Sequence, residues 1–139
     1  MTALELVQVQ AEEAGYQLQQ CFANITEENG DAQVHASAMS PRQTLLHLSE
    51  CYEAFCQHVA GNKFQWGLYN VDDTSIENLK SVWASQREKA IALLATANDD
   101  LVRVASAYII EHDFYHTGQI ASFCVALVPD WDAMSIYRM

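Results

Sequence analysis

Basic side chains are scarce in this sequence of 139 residues. It contains 7 Lys and Arg against 18 Asp and Glu, which gives a formal net charge of -11. A protein that binds a nucleic-acid backbone needs clustered Lys and Arg to neutralise the phosphates. Here the few basic residues are scattered along the chain, so the composition argues against a nucleic-acid partner.

Long apolar runs and export signals are also missing. No stretch approaches the roughly 20 apolar residues that a membrane-spanning helix needs. The first residues, MTALELVQVQAEEAGY, lack a basic start and carry acids where a signal peptide is apolar. The four cysteines show no CxxC spacing. These features predict a cytoplasmic protein with no membrane partner, whose cysteines are buried free thiols.

The sequence does contain patterns that are typical of helices. Three sites match the capping-box pattern, in which Ser or Thr is followed three residues later by Glu or Gln: Thr2 with Glu5, Ser40 with Gln43, and Thr74 with Glu77. A fourth start is Asn98, where the next two residues are acids that suit a helix N-terminus. Behind each start, apolar residues recur at steps of three and four, and no segment alternates as a strand does. We therefore predict a single domain over residues 1–139, an all-α four-helix bundle with one long crossover between helices two and three.

Helix four is apolar nearly all round. Besides one inward stripe it carries further apolar residues on its other faces: Val102, Val104, Ile109, Ile110, Phe114, Ile120, Cys124 and Val125. No helix of a four-helix bundle is fully central, so such a helix needs a second cover. We expect a homodimer through helix four. The alternative is a C-terminal tail folded across the same face.

Two histidines lie one turn apart in helix four, in the segment EHDFYHTGQIASF of residues 111–123. Residues four apart share a helix face, so His112 and His116 can reach one ion. His47 lies on the inward stripe of helix two, and three inward histidines can form one face of a four-coordinate metal site with an open position. The spacing leaves a second interpretation open, a network of core histidines that is satisfied without a metal.

The same spacing occurs in the HExxH motif of zinc metalloproteases, but the match to that motif fails. Asp113 stands where the motif requires a Glu base, and its shorter side chain would miss the attacking water. No histidine follows His116 to serve as a later ligand. A metalloprotease is therefore a poor interpretation of these residues.

Three neighbours of the histidines are candidates to support a metal site. Gln119 and Tyr108 could orient a histidine or a bound water. Cys51 lies one turn from His47 and could approach the ion. Packing in the core explains all three residues equally well.

Two segments carry a family resemblance. SPRQTLLHLSECYEAF and, far downstream, SAYIIEHDFYHTGQI resemble the DinB-like (DinB/YfiT-type) four-helix bundles. That family has one histidine of helix two in an LLHL-type run, and H-x3-H followed by GQI in the last helix. The resemblance implies a divalent metal ion, zinc or nickel, held by His47, His112 and His116. It also implies a homodimer.

Some members of the family are enzymes that use a small thiol, as S-transferases or as a maleylpyruvate isomerase. The leading hypothesis is therefore a metal-dependent thiol S-transferase or hydrolase, with a small-molecule thiol or electrophile as its partner. Two alternatives remain, a non-catalytic metal or small-molecule binding protein of the stress response and a structural bundle without metal. An anionic thiol would need a basic pocket, for which Arg42, Arg87 and Arg103 are the candidates.

Overall fold

The computed structural model describes residues 1–138, and every regular element in that range is helical. The first three long helices are α1 (Ala3–Phe22), α2 (Pro41–Val59) and α3 (Ile76–Ala92). The fourth, α4, runs without a break through an α-helical segment (Asp99–Ala105), a π-helical turn (Ser106–Glu111) and a second α-helical segment (His112–Leu127). Short 3₁₀ turns follow α3 (Leu93–Thr96) and α4 (Ala133–Ile136). The predicted all-α fold of four helices is confirmed.

Three of the four helix starts lie where the sequence places them. Thr2 and Ser40 each complete a capping box, in which the side chain accepts a hydrogen bond from the third helical residue and that residue's side chain accepts one in return. The Asn98 side chain accepts a hydrogen bond from the backbone N–H of Leu101 and begins α4. Side-chain chemistry at these ends satisfies backbone groups that have no partner within the helix.

The capping box predicted for Thr74 with Glu77 is wrong. Ser75 caps α3 instead, by accepting a hydrogen bond from the backbone N–H of Asn78. The Thr74 carbonyl accepts a hydrogen bond from the guanidinium of Arg42 in α2, which holds Thr74 outside the helix. The helix therefore begins one residue later than the pattern suggests.

Two connections are long, and only one of them was expected. The crossover between α2 and α3 spans residues 60–75, as predicted, but the connection between α1 and α2 also spans residues 23–40. The chain turns out of α1 after Phe22, where the N–H of Ile25 bonds back to the Phe22 carbonyl. The Asn29 side chain then accepts from the Thr26 N–H and donates to the Asn24 carbonyl, which closes the turn.

The core lies between two helix pairs, since α2 packs mainly on α3 and α1 packs mainly on α4. Most of the extra apolar residues of α4 face this core, and the buried ones are Val102, Ile109, Ile110, Ile120 and Cys124. Phe114 and Val125 stay exposed, and the 3₁₀ turn of the tail packs on α1. The apolar surface that a partner would cover is therefore smaller than the sequence suggests.

Within the described chain, no helix combines the length and hydropathy of a membrane span.

Candidate metal centre

The structure brings the three predicted histidines together between α2 and α4. The ring centroid of His47 lies 5.1 Å from that of His112 and 5.0 Å from that of His116, and the last two rings stack at 5.3 Å. The Nε2 atoms of His47 and His112 are 3.2 Å apart. Two nitrogens bound to one tetrahedral zinc ion at about 2.0 to 2.1 Å are separated by about 3.3 to 3.4 Å. The observed spacing of these two ligand atoms therefore fits one shared ion.

A fourth donor lies in the same place. The Cys51 Sγ is 3.7 Å from His47 Nε2 and 3.9 Å from His112 Nε2. These three residues form the set whose ligand atoms all lie within 4.8 Å of one another. His116 is outside that closest set, although its ring is as near to His47 as the His112 ring is. The sequence placed Cys51 one turn from His47 and did not reveal that its sulfur faces both imidazoles.

His116 carries the clearest sign of a missing partner. It is buried, and its Nε2 has no hydrogen-bond partner among the described residues. Its Nδ1 lies 2.7 Å from Gln119 Oε1, and the Gln119 amide donates a hydrogen bond to the Tyr115 hydroxyl at 3.2 Å. This bond turns the amide oxygen toward the imidazole, so the ring proton is on Nδ1 and Nε2 presents its lone pair.

A buried polar atom without a partner costs about 1–3 kcal/mol, and a bound cation would supply the partner of His116 Nε2. An N–H···N hydrogen bond between His47 and His112 would also have a length near 3.2 Å. That bond satisfies His47 and His112 without a metal, but it leaves the lone pair of His116 unpaired. The geometry of the residues therefore fits a metal better than it fits a self-satisfied histidine network.

The environment keeps the three imidazoles neutral. Burial lowers the pKa of both His47 and His112 below the ordinary value. Burial, together with the neighbouring His47, lowers the pKa of His116 to about 4. A neutral imidazole with a free lone pair is the form that binds a metal ion, so the site has the right protonation state at pH 7.

A buried polar network lies directly behind the histidines. Asp113 is fully buried, accepts a hydrogen bond from the Tyr52 hydroxyl at 2.5 Å, and pairs with Arg87 at 2.9 Å. The Trp83 indole N–H donates to the same Tyr52 hydroxyl at 3.2 Å. Because Asp113 follows His112 in the chain, the network joins α2, α3 and α4 beside the ligands. It fixes the rotation of α4 that turns His112 toward α2.

The sequence patterns do not reveal this network. The sequence patterns mark Asp113 only as a failed catalytic base and Arg87 only as a candidate binder of anions. One signal was available: Asp113 lies four residues after Ile109 and seven before Ile120, on the second apolar stripe of α4. A charged residue in such a position is buried only when it has a partner.

The predicted supporting roles have different outcomes. Gln119 contacts His116 directly, as described above. Tyr108 stacks instead on Trp66 at 6.3 Å and on His58 at 6.5 Å, within the π-helical turn that precedes His112. Phe64 meets Trp66 edge-on at 4.9 Å. Tyr108 thus belongs to an aromatic cluster with the crossover, and a role in orienting the ligands stays a prediction.

A pocket of about 300 Å³ opens beside His47. Its lining includes the carboxylate of Glu50 and the ring of Tyr69, and it contains no Lys or Arg. Arg42 precedes Gln43 of the lining, but its guanidinium is paired with Glu27 and Asp31. The basic pocket that an anionic thiol would need is therefore not formed at this opening.

The fold and the site together define a helical bundle with a cluster of imidazole and thiol donors that could hold a metal ion. The chain matches the model of the DinB family over residues 1–124, and it belongs to the DinB family. The resemblance read from the LLHL and H-x3-H segments is thereby confirmed. Comparison with curated proteins and with solved structures gives no match.

Proposed function

We propose that this protein binds one divalent metal ion through His47, His112 and His116 and uses it as an enzyme, a thiol S-transferase or a hydrolase. The observation that carries the proposal is the buried Nε2 of His116, which has a lone pair and no partner in residues 1–138. Zinc and nickel are the candidate ions because imidazole nitrogen is a good ligand for both. The resemblance to the DinB family implies the same ions, and the chain matches the model of that family over residues 1–124.

A divalent ion held by these residues would supply Lewis acidity, which would lower the pKa of a water or a thiol in this position. The chain's own residues provide the orientation of a ligand and the access for a substrate. Gln119 keeps the proton of His116 on Nδ1, away from the centre. The pocket beside His47 gives a small molecule access to that histidine.

The charge of the pocket narrows the substrate class. Glu50 places a carboxylate in the lining, Tyr69 offers an aromatic wall, and no basic side chain is present there. An anionic thiol such as glutathione would meet repulsion without a compensating cation. We therefore propose a neutral or cationic thiol, or a neutral ester or amide, as the substrate.

A non-catalytic binding protein is the second candidate function. The ion pairs of two arginines favour this second function. Arg42 and Arg87 are both engaged in such pairs, so neither is free to bind a substrate anion. Such a protein would bind the metal or a small molecule and show no turnover. The metal site is common to both candidates, and only an activity measurement separates them.

The experiment is a pair of matched assays on metal-loaded and metal-free protein. The first follows hydrolysis of an uncharged nitrophenyl ester, and the second follows conjugation of a thiol to a chloronitroarene. Cysteamine, a cationic thiol, is compared with N-acetylcysteine, an anionic one, each relative to its rate without protein. We expect a metal-dependent rate that is greater for cysteamine and is lost in His116→Ala.

The control variant is His58→Ala, which changes an exposed histidine of the same helix as His47. It should retain the metal-dependent rate. Equal rates with and without metal would refute the enzyme and leave the binding protein.

We also propose that the protein is a homodimer through α4. The support is a group of exposed apolar side chains on that helix: Phe114, Tyr115, Val125 and Leu127. Their contact with a second copy would remove apolar surface from water on both chains.

A further inference from the structure

We propose that Cys51 is a fourth protein ligand of the metal and occupies the position that an incoming thiol or water would otherwise take. This inference rests on the metal site proposed above and deepens it. The family motifs contain three histidines, and nothing in them assigns a role to this cysteine. What assigns it is the position of its sulfur.

The distances fit coordination to one ion. A zinc ion with a sulfur ligand at about 2.3 Å and a nitrogen ligand at about 2.0 to 2.1 Å separates the two atoms by about 3.5 to 3.6 Å. The Cys51 Sγ lies 3.7 Å from His47 Nε2 and 3.9 Å from His112 Nε2. Cys51 and His47 are one turn apart on α2, so both side chains leave the helix on the same face.

The other cysteines do not share this environment. Cys124 donates its thiol hydrogen to the Cys21 carbonyl at 3.8 Å, within the core between α1 and α4. Cys56 lies five residues after Cys51 on α2 and is half-buried. Cys51 is the cysteine whose sulfur belongs to the set of mutually close donors with His47 and His112. The Nε2 of buried His116, whose ring centroid lies 5.0 Å from that of His47, also has no partner among the described residues, which is a separate sign of a ligand beside this set.

The chemistry of this ligation is simple. The thiol of Cys51 would lose its proton to solvent and its sulfur would form a bond to the ion, with no oxidation or reduction of either. A thiolate in the donor set favours zinc and similar ions over magnesium, calcium or manganese. Cys51 would add a sulfur donor to the nitrogens of His47 and His112, so a substrate would bind beside Cys51 or in its place.

Cobalt(II) is the probe, because a thiolate ligand gives it a charge-transfer absorption band that nitrogen ligands do not give. We expect protein loaded with one cobalt per chain to show this band, Cys51→Ala to lose it, and Cys56→Ala to retain it. Adding 2-mercaptoethanol to the cobalt form of Cys51→Ala should restore the band, because the small thiol enters the position that the side chain has left.

X-ray absorption of the zinc-loaded wild type gives a second measurement that needs no variant. A sulfur neighbour at about 2.3 Å supports the inference, and a shell of nitrogen and oxygen alone overturns it. Cobalt binding at one per chain without the thiolate band would also overturn it, while the proposed histidine site would stand. If the wild type binds neither cobalt nor zinc, the proposed metal function fails and this inference fails with it.

Discussion

Arg87 of α3 reaches the fully buried carboxylate of Asp113 in α4, with its Nη2 2.9 Å and its Nε 3.3 Å from Oδ2. Asp113 lies between the two histidines of α4 in sequence. The pair therefore locks the helix rotation that turns His112 and His116 toward α2. The ion pair of Asp113 on one side of α4 thus orients the neutral imidazoles of His112 and His116 toward α2.

Removing one partner of this pair should destabilise the protein strongly. Arg87→Ala leaves the Asp113 carboxylate buried without its cation, which typically costs about 3–5 kcal/mol. Urea denaturation followed by circular dichroism measures the change in the free energy of unfolding. Lys80→Ala is the matched control on the same helix, because its partner Glu77 is exposed and such surface pairs contribute about 1 kcal/mol or less. Equal losses in the two variants would contradict the role assigned to Arg87.

Because Gly15 of α1 has no side chain, the Arg87 side chain can pass close to α1 and reach Asp113. A Cβ at Gly15 would lie 2.5 Å from the Arg87 Nη1, and the guanidinium cannot move away freely because it is bound to Asp113 and to the Ala11 carbonyl. We expect Gly15→Ala to lose about 1–3 kcal/mol through overpacking, despite the better helix propensity of alanine.

Gly118 of α4 is the matched control for that substitution. A Cβ there meets no atom within 4 Å, so Gly118→Ala should stabilise the protein by about 0.5–1 kcal/mol. Thermal and urea unfolding of the two variants measure both effects. A stabilising Gly15→Ala would show that the close approach of Arg87 does not constrain α1.

The sequence predicted the fold, and it placed the three histidines on inward helix faces, because both depend on patterns along one chain. Capping residues and steps of three and four define helices locally, and residues four apart share a face whatever the helix packs against. The inward positions of His47, His112 and His116 could therefore be predicted before any tertiary structure was known, and their role as metal ligands is what the family resemblance implies.

The remaining features depend on how the helices are rotated and where they end. The pairing of Arg87 with Asp113 and the approach of Cys51 to His112 join residues on different helices, and periodicity does not fix their distance. The end of α1 at Phe22 comes from side-chain bonds of Asn29 in the following turn. Such contacts override the local helix propensity, which is a weak determinant.

The proposed dimer makes a prediction about mass in solution. We expect light scattering at micromolar concentration to give twice the chain mass for the wild type and a single chain mass for Val125→Glu. Val125 is 66% exposed on α4, and a carboxylate there would be desolvated at the interface. Leu68→Glu changes a side chain that is 72% exposed in the crossover and should leave the dimer intact. A monomeric wild type would refute the dimer.

The buried cysteines should resist alkylation in the native protein. Burial raises the pKa of Cys21 to about 12 and that of Cys124 to about 11, and the thiolate is the reactive form. Burial also raises the pKa of Cys56, but that residue is only half-buried. With iodoacetamide at pH 8, mass spectrometry should show Cys56 modified at least about tenfold faster than Cys21. Equal rates would mean that the core around Cys21 opens readily.

The metal content of the protein tests the central claim most directly. Plasma mass spectrometry on protein purified without a histidine tag should find one divalent ion per chain. That ion should be lost in His47→Ala and in His116→Ala and retained in His58→Ala. No bound metal in the wild type, even after zinc and nickel are added, would contradict the metal centre and leave the histidines as core residues.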